Sequence, residues 1–89
     1  MKAIVTVSGK DKTGIIAAVT SKLSEQGVNI LDISQTVLQD YFAMIMLVDL
    51  KGCYRPFAVL GDILAEEGRK MGMDVRMMRE EIFDAMHRL

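Results

Sequence analysis

The chain has little with which to build a redox, metal or covalent-catalytic site. It contains one cysteine, Cys53, and one histidine, His87. A lone cysteine excludes an internal disulfide, which agrees with a reducing compartment. One thiol and one imidazole fall short of the four donors of a structural zinc site. A nucleophilic Cys–His pair would need these two residues to meet in space, and nothing in their sequence surroundings brings them together. Tryptophan is absent. The first strand-like segment carries no aromatic residue, so the stacking platform of an RNA-binding sheet is missing.

Charge of one sign is lacking too. Eleven basic and twelve acidic side chains leave a net charge of −1. Nucleic-acid binding driven by phosphate contacts needs a cationic face, and is disfavoured. The longest apolar runs reach only about ten residues, too few to span a bilayer. The opening "MKAIVTVSG" has no cleavage-site pattern and runs straight into a strand. These absences lead to the expectation of a single cytoplasmic domain over residues 1–89, with no membrane or nucleic-acid partner, no cofactor and no metal. A domain of this size has a thin stability margin, so a second copy or an extra packed segment would help it.

Hydrophobic residues make up 51% of the chain, and eight of them are methionine. Methionine at this frequency fits either a plastic core or an adaptable interface. Lys2 to Ser8 reads as a buried strand, and the apolar spacing from Ile15 to Gln26 is helical, with Ile16, Val19 and Leu23 on one stripe. Gly27 ends that helix, and Thr13 or Asp11 is positioned to cap its start. Val28 to Gln39 is strand-like, with Leu31, Ile33 and Val37 on one face and Ile30, Asp32, Ser34 and Thr36 on the other. Asp40 makes a reversal. The strand "YFAMIMLVDL" is apolar on both faces, as in the middle of a sheet covered on both sides. Pro56 suits the first turn of a second helix carrying Phe57, Leu60 and Leu64. Gly61 and Gly68 weaken that helix, so packing must hold it. Gly72 ends it, and Met73 to Arg79 alternates as a half-buried strand. The tail Glu80 to Leu89 places Ile82, Phe83, Met86 and Leu89 on one helical face. Its acidic start and its end at His87 and Arg88 suit the helix dipole. Ten residues do not make a stable free helix, so this tail should be docked.

The order is strand, helix, strand, strand, helix, strand, short helix. Right-handed crossovers and the two most apolar strands at the centre predict an α+β class, ferredoxin-like βαββαβ plait. Its four-stranded antiparallel sheet has order 4-1-3-2, with two helices on one face and a short C-terminal helix.

The stretch "VSGKDKTGIIAAV" from Val7 to Val19 concentrates polar chemistry at a strand-to-helix turn. Gly9 and Gly14 have the spacing of a P-loop, but Ile15 and Ile16 stand where its lysine and hydroxyl residue belong. The dinucleotide fingerprint is absent as well. The turn is either a plain surface turn or the rim of a small-molecule site. For the second reading, amides at a helix N-terminus attract a carboxylate. Gly14 admits a close approach to the backbone, Asp11 can accept from an ammonium, and Asn29 can donate and accept together. Asn29 can equally tie down the turn after Gly27.

The segments "GKDKTGIIAAVTSKL" and "GVNILDISQ", with the tail "REEIFDAMHRL", resemble the ACT domain, the small amino-acid-sensing module of many metabolic enzymes, and specifically its stand-alone bacterial and archaeal form. The resemblance covers essentially the whole chain. Thr13 stands where many ACT domains have proline. The resemblance implies a ligand between the first loop and the start of the second strand, often across a dimer interface, and by position it assigns ligand binding to Asp11, Thr13, Gly14, Ile15 and Asn29. It also implies a homodimer paired side by side along the second strand, an open edge. The expected role is regulatory, an amino acid bound and an unknown protein regulated, rather than enzymatic. The alternative is a protein-interaction module that uses its methionine-rich surface or tail helix. Cys53 reads as a turn thiol, His87 as a helix-end cation, and the pairs Glu66–Glu67 and Glu80–Glu81 as solvated helix faces.

Overall fold

The computed structural model describes residues 1–10 and 13–87. The elements follow in the expected order: β1 (Lys2–Gly9), α1 (Ile15–Glu25), β2 (Asn29–Leu38), β3 (Tyr41–Asp49), α2 (Phe57–Lys70), β4 (Asp74–Arg79) and α3 (Glu80–Met86). One antiparallel sheet has the order β2-β3-β1-β4. This is the ferredoxin-like plait with β1 and β3 at its centre.

The two longer helices are held on one face of the sheet by a single apolar layer. Val19 and Leu23 of α1 and Leu60 and Leu64 of α2 meet Ala3, Val5 and Val7 of β1 and Phe42, Met44, Met46 and Val48 of β3. Each of these side chains larger than alanine contributes about 1.5–3 kcal/mol when removed from water. Met44, Met46 and Met73 are buried in this layer, and Met71 and Met77 pack against it. Most of the methionines therefore serve the core. The α1 stripe is rotated slightly from expectation, because Ile15 is wholly buried and Ile16 only half-buried. Gly68 lets α2 approach β4 closely: a β-carbon there would overlap the Val75 side chain. The Arg79 guanidinium lies 5.2 Å from the centre of the Phe57 ring and adds a cation–π contact between β4 and α2. Gly27, at φ 76°, turns α1 into β2 in the left-handed conformation that glycine adopts without steric cost.

Three expectations need correction. A β-bulge between Ile30 and Asp32 interrupts the β2–β3 register. Ile30, Ile33 and Val37 consequently lie opposite Val48, Met46 and Phe42 on the helix-covered face, so simple alternation assigned Ile30 to the wrong side. β3 is central but is not covered on both sides: Met44 and Met46 are fully buried, while Ile45 on the other face is 44% exposed. The α3 tail does dock, against β1 and β4, but only Glu80 and Phe83 of its residues are half-buried, and Ile82 and Met86 face solvent. Arg88 and Leu89 lie outside the described residues. Among those described, no helix is long and apolar enough to cross a membrane.

Candidate ligand site

β1 carries the chain to one end of the sheet, where Gly9 faces Phe42. From there the backbone turns back into α1 through Thr13 and Gly14. Asp11 lies outside the described residues. The N-cap of α1 is Gly14 itself, at φ 75° and ψ −7°. This corrects the expectation that Thr13 or Asp11 holds the cap position. A non-glycine residue would be strained at that φ, and Gly14 contributes no side-chain hydrogen bond to the helix start. Its carbonyl accepts the first helical bond, from Ala18 N–H at 3.0 Å. The Ile15 side chain points into the core and is wholly buried. No part of the residue, its main-chain amide included, is exposed to solvent.

Asn29 sits elsewhere. It opens β2 opposite Asp49, whereas the first loop lies at the Phe42 end of β3. Seven residue steps along β3 separate those two positions, about 24 Å. The structure thus groups Thr13, Gly14 and Ile15 and leaves Asn29 at the opposite end of the same sheet. Asn29 is exposed, and its side chain makes no hydrogen bond among the described residues. The neighbouring turn is tied by main chain instead, with Tyr54 N–H donating to the Gln26 carbonyl at 3.0 Å.

An open cleft of about 520 Å³ borders the loop. Lys10 and Thr13 form one wall, and Val37, Gln39, Asp40, Tyr41 and Phe42 of the β2–β3 hairpin form the other. Gln39 stands at φ 54°, the one non-glycine residue with positive φ among those described. The sequence reading missed the hairpin side of this cleft. Its signal was present: a two-residue reversal, Gln39–Asp40, with no glycine to relax it.

The remaining polar groups fall into structural roles. Glu67 receives Lys22 of α1 at 3.8 Å and Lys70 at 3.5 Å, linking the two long helices. Glu66 is engaged by Arg69; hydrogen bonding and charge from that guanidinium hold its carboxyl below the usual carboxylate range. The Cys53 thiol donates to the Arg55 carbonyl at 3.4 Å. The His87 ring stacks on Phe83 at 4.2 Å, with Nδ1 2.8 Å from the Phe83 carbonyl oxygen. No group of three or more metal-ligating side chains occurs among the described residues.

Comparison with known proteins agrees with this architecture. The family described as the ACT domain matches residues 2–78. A UPF0237 protein of Clostridium acetobutylicum is 52% identical over 89 residues, the full length of both chains. A UPF0237 protein of the archaeon Methanocaldococcus jannaschii is 44% identical over 88 residues, covering 99% of this chain and 98% of its own. Among solved structures, an ACT domain protein from Streptococcus pneumoniae superposes with a TM-score of 0.82 at 42% identity, covering 98% of each chain.

Proposed function

Because the chain belongs to the ACT domain family, in its stand-alone UPF0237 form, we propose that it is a cytoplasmic homodimer that binds an amino acid and regulates another protein. The observation that carries this reading is the placement of Gly14 and Asn29 at opposite ends of the sheet, joined by an unpaired edge strand. β2 has a hydrogen-bonded neighbour on one side only, and it exposes Leu31, Ile33 and Val37. Such an edge favours pairing with a second strand.

Two β2 strands related by a two-fold axis run antiparallel. The start of one then lies beside the end of the other. Asn29 of one subunit is carried toward the Thr13–Gly14 loop of its partner, and two equivalent sites form across the interface. Amides at the start of α1 suit a carboxylate, and the Asn29 amide suits the rest of a zwitterion. A ligand of about ten heavy atoms at about −0.5 kcal/mol each binds with about −5 kcal/mol, a sub-millimolar constant fit for sensing a metabolite pool. Since the ligand touches both subunits, its binding is linked to dimer geometry, and a partner protein can read that geometry.

The test is thermal stabilisation by each of the twenty amino acids, followed by titration of the Asn29→Ala variant. One or a few amino acids should stabilise the wild type, and Asn29→Ala should lose the shift while keeping its fold. Failure of all twenty to stabilise the protein would overturn sensing and favour the second reading, a protein-interaction module. That reading draws on Ile45, Ile82 and Met86, which lie exposed.

A further inference from the structure

We propose that the sheet face turned away from the two long helices is a contact between two copies of this chain, with α3 of each copy seated on the bare end of the other. This contact needs no ligand and stands apart from the amino-acid reading.

On this face Ile4 and Leu47 stand side by side, followed along the strands by Thr6 with Ile45 and by Ser8 with Ala43. Tyr41 ends the series on β3. Exposure rises in the same order. Ile4 is 8% exposed and Leu47 half-buried, whereas Ile45 is 44% and Tyr41 57% exposed. The cause is α3. It leaves β4 after Arg79, which pairs with Ala3, and packs on β1 and β4. Its seven residues reach about 10 Å, against about 30 Å for the nine of β3. The helix shelters the Ile4 end and leaves Ile45, Ala43 and Tyr41 open. Lys10 Nζ lies 5.5 Å from the centre of the Tyr41 ring, yet most of that ring stays in water.

A face with one covered end and one bare end is complementary to itself. α3 presents Ile82 and Met86, four residues apart on one stripe, 51% and 64% exposed. A two-fold axis lying across the strands between two such faces reverses strand direction, so each α3 falls on the bare end of the other copy. A single contact then covers both uncovered apolar sets. Four strands, about 4.8 Å apart and about 30 Å long, offer about 550 Å² per copy. Two faces bury about 1,100 Å², at the lower limit of stable interfaces. Asp74 and Arg76, also on this face, pair with each other at 3.1 Å, so their charges cancel. The dyad of a paired β2 edge stands perpendicular to the sheet. Where the two axes cross at the middle of β2, edge and face contacts close at four subunits and do not run on as an open chain.

The test is sedimentation velocity of the full-length protein at about 5 and about 300 micromolar, a span that brings an interface of this size into view. Wild type should pass from two subunits to four. Ile45→Lys and Met86→Lys, both at exposed positions, should weaken that step at least tenfold while keeping the two-subunit species and the thermal midpoint of wild type. Ile33→Glu, which breaks β2 pairing, should still give a two-subunit species at the higher concentration, and Ile33→Glu combined with Ile45→Lys should lose it. A wild type that passes from one subunit to two, with the step lost in Ile45→Lys, would support the face contact and refute edge pairing. A wild type that keeps its low-concentration size at the higher concentration would refute the face contact and leave the ligand reading intact. Association of both lysine variants at wild-type strength would do the same.

Discussion

Ile33 faces Met46 across the β2–β3 ladder, yet Met46 is fully buried and Ile33 is 39% exposed. Two apolar residues in register on one face of one sheet thus have opposite fates. The helices cover the inner strand and stop short of the edge. Ile33→Glu should therefore change thermal stability of the single domain by no more than about 0.5 kcal/mol, as at other exposed positions. It should abolish pairing along β2 through like-charge repulsion across the two-fold axis and the loss of apolar contact. Sedimentation velocity at micromolar concentration checks this: a dimer for wild type and a monomer of 9.9 kDa for the variant.

Gln39→Gly should stabilise the chain by about 0.5–1 kcal/mol. A left-handed non-glycine residue costs about 1–2 kcal/mol, part of which glycine returns as unfolded-state entropy. Chemical denaturation with an unchanged slope would show the gain as a shift of midpoint.

Gly68→Ala should destabilise by about 1–3 kcal/mol, the cost of overpacking. Helix propensity alone predicts the reverse, a gain of about 1 kcal/mol. The sign is decided by the Val75 side chain, which occupies the space of the new methyl group. A urea midpoint above that of wild type would mean that α2 and β4 separate at no cost.

Arg69→Ala should raise the pKa of Glu66, because the guanidinium that holds the carboxylate in its charged form is gone. The folded-state value in wild type is depressed, so the stability linked to it is present above the unfolded pKa and is lost as pH falls through the folded one. Both side chains are largely exposed, so the effect on stability is small. Carboxyl carbon chemical shifts of Glu66 across an acid titration report the change directly.

Much of the plait was legible because burial follows local period. Val5 and Val7, or Leu60 and Leu64, announce their side of an element by spacing alone, and Gly27 and Pro56 mark its limits. The bulge at Leu31 was not legible, since an extra residue in an edge strand leaves no mark on composition and yet moves Ile30 to the other face. The cap of α1 was misread for a related reason. Thr13 and Asp11 have the chemistry of caps, but the backbone path places Gly14 at that position.

The candidate site divides in the same way. The amino-acid order determined which segments become helix and strand, which side chains leave water, and that a strand-to-helix turn at Thr13 and Gly14 bears polar chemistry. Those are properties of neighbours along the chain. Tertiary structure alone decided that Asn29 stands a sheet's length from Gly14 and that Lys10 meets Tyr41. β1 and β2 each pair antiparallel to β3, so they run parallel to one another, and the end of one cannot lie beside the start of the other. That constraint arises from hydrogen bonding between segments distant in sequence.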